Sequence, residues 1–223
     1  MYSTDLTSIS LSAFEQTILT IDLLPSRKVL AEGISGAVRE LRHMGIETLE
    51  DLRILLKDKK RYSELAIELD VDERYLTVLN REVNSYVSRP VPLGQLDVFT
   101  EPELERLRRS GVRSTKTIYE QCLMPSDRTT FASEHGLDKD QLTVALELSD
   151  LVRINGVGPA FARFLRDLGV RSPREFDSID PLEVLERYRR SVADGSTSGP
   201  QLRLEDLEYC QRFSSGLDND IEW

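Results

Sequence analysis

Residues 153–172 read RINGVGPAFARFLRDLGVRS. Phe161, Phe164, Leu165 and Leu168 recur at i, i+3, i+4 and i+7, the stripe of one buried helical face. Just before that helix, Gly156 and Gly158 bracket Val157. Glycine permits backbone angles that a Cβ opposes, so the triplet predicts a tight corner. Pro159 then fits the first helical position, where its missing N–H costs nothing. N–H groups at a helix start have no intrahelical partner and carry partial positive charge. They suit an anion or another hydrogen-bond acceptor. What they meet is the functional question.

Working outward, the chain repeats itself. A shift of 66 residues lays Leu41–Ile46 on Leu107–Val112 and VDERYLTV (71–78) on LDKDQLTV (137–144). Nine positions in the window 41–78 are identical under that shift, where chance gives about two. A shift of 58 lays Leu107–Ser114 on Leu165–Ser172 with six of eight identical. Each unit reads as helix, glycine stop, short connection and next helix. Gly45, Gly111 and Gly169 stand where a helix closes in the left-handed conformation. Thr48, Ser114 and Ser172 follow as N-caps, Thr48 and Ser172 with an acid three residues on. Gln141–Ile154 carries a similar apolar stripe, and strand signals are weak throughout. These patterns predict an all-α protein.

Three segments are expected. Residues 1–90 form an N-terminal helical region. Residues 96–192 form a paired domain, entered through the turn SRPVPLGQ (88–95). Residues 193–223 form an acidic flexible tail, opening with ADGSTSGPQ and allowing a short helix in LRLEDLEYCQRF. That tail is expected to be a disordered terminus or to dock as a helix.

The stretch LVRINGVGPAFARFLRDLGV resembles a helix-hairpin-helix motif. The tandem arrangement is similar to an uncharacterised helix-hairpin-helix family, domain of unknown function 4332. The similarity runs from about Phe99 to Val192, through ELERLRRSGVRST, LDKDQLTVALELSDLVRINGVG and FLRDLGVRSPREF. It implies tandem helix-hairpin-helix repeats in a helical bundle of the SAM-like, paired-hairpin kind. It also implies backbone-directed, sequence-independent contact with nucleic acid through Gly156, Val157 and Gly158. A monovalent cation on the hairpin carbonyls belongs to the same implication; the sequence itself calls for no cofactor. The first two units depart from the motif. The second has Asp97, Val98, Phe99 and Thr100 at the corner, followed by Glu101, and the first has Gly33 and Gly36 beside Glu32.

Charge around the third unit is locally basic. Arg153 precedes the corner, Arg163 and Arg166 lie off the apolar stripe, and Arg171 follows. The second unit adds Arg108, Arg109 and Arg113. Together with the corner these are the candidate nucleic-acid contacts. Against them stands a formal net charge of −10, which disfavours a wholly polyanion-binding surface. The alternative is a protein-interaction, scaffold or oligomerisation module with no nucleic-acid contact.

No catalytic constellation or metal-ligand spacing is present. His43 and His135 read as surface residues, and a non-enzymatic protein is expected. No run reaches the length of a membrane span, and the N-terminus lacks a secretory pattern. Cys122 and Cys210 read as free thiols of a reducing cytosol, so a cytoplasmic location is expected.

Overall fold

The computed structural model describes residues 1–223. It contains thirteen α-helices and no strand. The chain divides into two compact units, one of residues 5–87 and one of residues 1–4 with 88–223. No helix is long and apolar enough to cross a membrane.

The unit of residues 5–87 holds α1 (Leu11–Thr20), α2 (Val29–His43), α3 (Leu49–Leu55), α4 (Tyr62–Glu68) and α5 (Glu73–Asn84). Its core gathers Phe14, Ile18, Leu30, Ile34, Leu41, Leu52, Leu76, Leu79 and Val83. α2 packs on α1 and α5, while α3 and α4 pack on α5. α3 starts where it does because the Thr48 hydroxyl accepts from the Asp51 N–H and the Asp51 carboxylate accepts from the Thr48 N–H. That reciprocal pair satisfies donors the first helical turn leaves over.

The other unit holds α6 (Glu101–Arg109), α7 (Thr115–Gln121), α8 (Pro125–His135), α9 (Lys139–Leu151), α10 (Pro159–Asp167), α11 (Pro173–Ser178), α12 (Pro181–Ala193) and α13 (Leu204–Ser214). α9 packs on α7, α8 and α10; α13 packs on α11 and α12.

The sequence repeat is a structural repeat, with four helices in each copy. Moving α3 by 66 residues gives the bounds of α7, and moving the start of α5 gives the start of α9. Moving α6 by 58 gives the bounds of α10. The glycines after the first helix of each copy are all left-handed, with φ of +81° at Gly45, +87° at Gly111 and +90° at Gly169. A backbone bridge also recurs. The Leu49 N–H donates to Ile9 O over 2.8 Å, and the Thr115 N–H to Val91 O over 2.9 Å. In the third copy Pro173 stands at the Thr115 position and has no N–H to give.

The register makes α13 the fourth helix of the third copy, matching α5 and α9. Of the two readings of the tail, residues 204–214 follow the docked helix and not the disordered terminus. The physical reason is a stripe, Leu207, Cys210 and Phe213, that is buried with α13 packed on α11 and α12. The glycines and serines of residues 195–199 obscured the continuity.

The third connection in each copy tests the register. Asp70 has φ +52° where Gly136, 66 residues on, has φ +61°. A Cβ in that conformation is disfavoured. Gly136→Ala is expected to lower stability by about 1 kcal/mol, while Asp70→Gly leaves it unchanged or raises it. Urea unfolding of the two variants checks this.

Candidate interaction site at the glycine corner

α9 ends at Leu151, and Arg153 follows it into the interior with 2% of its surface exposed. A guanidinium there needs its charge balanced and its donors filled. Asp150, one turn earlier, supplies the carboxylate. Nε donates to Tyr2 O at 2.9 Å, Nη1 to the Tyr119 hydroxyl at 2.7 Å, and Nη2 to Met1 O and Asp218 O at 3.0 Å each. The Tyr119 ring lies 4.2 Å from the guanidinium carbon. The Ser88 hydroxyl donates to Arg153 O at 2.7 Å. One side chain thus ties α7, α9, residues 1–2 and the chain beyond α13. Its expected place among phosphate contacts is corrected: its polar atoms are spent inside the protein. The acids within the apolar run QLTVALELSDLV, Glu147 and Asp150, were the overlooked sign of buried ion pairs.

The corner is next. Gly156 has φ +92°, a conformation that side chains rarely adopt. An added Cβ there would come within 2.5 Å of the Cys210 sulfur on α13. Asn155 Nδ2 donates to the Tyr209 hydroxyl at 3.1 Å, also on α13. Val157 is buried, and its N–H donates to Ile154 O at 3.0 Å. The corner therefore spends one of its three amides internally. Gly156 and Gly158 remain exposed, and Gly158 has an ordinary φ of −88° with open space where a Cβ would be. The carbonyls of Ile154 and Gly158 accept from Val157 and Ala162.

The remaining arginines are mostly paired within the unit. Arg166 Nε meets Glu147 Oε2 at 2.6 Å and Arg171 reaches the other oxygen at 3.7 Å; Glu147 itself is buried. Arg163 meets the Asp97 carboxylate at 3.0 Å and donates to Gln95 O and Leu96 O. Asp97 has φ +54°, so the second copy keeps a left-handed corner without glycine, and Arg163 of α10 fills it. Arg108 pairs with Glu101 at 2.6 Å, and Arg109 with Glu105 at 3.0 Å. These exposed pairs are individually weak. Arg113 alone of the seven makes no ion pair. The basic patch read from the sequence is thus interleaved with acids from α6, α9 and residue 97. Tyr2, Asp218, Tyr209 and Cys210 carried no local signal, because they reach the site from distant parts of the chain.

Burial pushes the Cys122 and Cys210 thiols up to about 12, and both are free. His43 is exposed and sits 3.2 Å from Glu40.

Residues 98–203 match the family described as domain of unknown function (DUF4332). Neither a curated protein nor a solved structure matches the chain.

Two outcomes follow from these pairs. Arg166→Glu would set a second carboxylate beside buried Glu147 and is expected to cost about 2–4 kcal/mol in urea unfolding. A freely exposed arginine would change stability by less than about 0.5 kcal/mol. The second concerns pH. Burial raises the Asp150 carboxyl to about 6, with Arg153 pulling the other way. Its folded value lies above the unfolded one, so the folded state holds the proton more tightly. Asp150 therefore adds stability as pH falls from about 7 towards 4. Asp150→Asn is expected to remove that part of the slope, as read by urea unfolding across the same pH range.

Proposed function

We propose that this protein is a non-enzymatic interaction module built from tandem helix-hairpin-helix copies, whose corners receive protein rather than phosphate. The observation that carries this is what meets the corners within the chain. α13 sits on the third corner through Cys210 and Tyr209, and Arg163 fills the second. The pairing of six candidate arginines with carboxylates lowers the potential that a phosphate backbone would feel.

A second reading keeps one specific support. The amides of Gly156 and Gly158 lie on exposed residues, which favours a sequence-independent contact with nucleic acid at that corner.

One position separates the two. Gly158 has room and ordinary backbone angles, so a photo-crosslinking side chain there is accommodated. Irradiation in cells is expected to give protein adducts. Nucleic-acid adducts would support the second reading. In that event duplex titrations would show a log–log salt slope of roughly −2 to −4, at about −0.9 per phosphate. The interaction reading expects no such salt-dependent binding, and no effect of Gly158→Val.

A further inference from the structure

The three copies differ most in their fourth helix. α5 joins α4 through residues 69–72, and α9 joins α8 through residues 136–138. α13 joins α12 through residues 194–203, a longer stretch with two glycines and three serines or threonines. Burial differs in the same direction. α9 buries eight residues and α5 six; α13 buries Leu207, Cys210, Phe213 and Ser214. The family match ends at residue 203, immediately before α13. Beyond α13 the chain is held again, by Arg153 at Asp218 O and by Leu123 O at the Glu222 N–H, so a helix with a long tether and a narrow buried stripe opens locally, between that tether and that anchor.

The seat beneath α13 has a definite chemistry. Leu207 and Phe213 are buried at its two ends. Between them Cys210 lies against Gly156, where the chain leaves room for a small side chain. Gln211 Nε2 donates to Phe176 O and Ile179 O at 2.8 Å each, satisfying carbonyls at the end of α11. Glu205 and Glu208 face solvent.

We infer that α13 is a tethered occupant of a helix-binding groove on α11, α12 and the glycine corner, and that the groove's external ligand is a partner helix of the same pattern. That pattern is a large apolar residue, a small residue three positions on, an amide side chain next to it, and an aromatic three positions beyond the small residue. This is recognition of an amphipathic helix by a groove, with the chain supplying its own competitor. The tether gives that competitor a high effective concentration, so an external helix must bind tightly or be abundant. The inference rests on the interaction-module reading and names its seat.

The two cysteines provide the test in the intact chain. Both are buried, Cys210 beneath α13 and Cys122 at the end of α7. Thiol labelling at pH 8 is followed site by site by mass spectrometry. Undocking of α13 alone is expected to label Cys210 at least about tenfold faster than Cys122. Gly156→Ala, which crowds Cys210, is expected to widen the gap. A peptide of residues 202–223 carrying Cys210→Ser serves as the external helix. It is expected to speed Cys210 labelling with saturation, by holding the groove while α13 is away. The same peptide with Leu207→Asp and Phe213→Asp is expected to do nothing. Equal labelling of both thiols would show that α13 leaves only on global unfolding and would overturn the inference. So would a peptide without effect. Neither result touches the crosslinking outcome at Gly158, so the groove can fail while the wider reading stands.

Discussion

A guanidinium in the interior of a small helical unit is held by a neighbouring carboxyl group and several acceptors. Arg153 has all of them. Its anion is one helical turn away on α9, and its acceptors come from residues 1 and 2, from Tyr119 and from Asp218. Parts of the chain that lie far apart in sequence converge because this one charge must be satisfied. Burial also lifts the Tyr2 hydroxyl to about 12, keeping it protonated as it shares a hydrogen bond with Thr115. The glycine corner begins two residues after Ile154, the neighbour of this side chain. Its position is therefore inherited from a buried ion pair.

The repeated design is built outward from that anchor. A copy is four helices; the second and third copies have a corner at the entrance, whereas in the first Gly33 and Gly36 lie inside α2. In the second copy the corner is closed by Asp97 in a left-handed conformation and by the guanidinium of Arg163. In the third it is opened by Gly156, and a neighbouring helix takes the space that a side chain would fill. The two corners, whose left-handed residues stand one register position apart, thus meet an arginine once and a cysteine once. Both are protein contacts, and both use the absence or the reach of a single side chain.

Much of this was legible in the residues. The glycine stops, the caps at Thr48 and Ser172 and the apolar stripes placed the helices, because they are local effects within a few residues. The repeat was visible because copies preserve core and cap positions. The site was less legible. Arginines on a helix look alike whether they face water or a carboxylate from another helix; Glu147 and Asp97 are 19 and 66 residues from the arginines they meet. A short helix in LRLEDLEYCQRF was legible, but its place as the fourth helix of the third copy was not, because a glycine-rich connection precedes it. Whether Arg153 points inward depended on acceptors spread over more than two hundred residues, which no local pattern encodes.

The most direct measurement is the equilibrium unfolding of Arg153→Met. With Arg153 as the buried anchor, removing its charge strands Asp150 and several carbonyls, and the loss should reach about 3–5 kcal/mol. A change below about 0.5 kcal/mol, the range of an ordinary surface substitution, would place Arg153 in solvent and contradict the account.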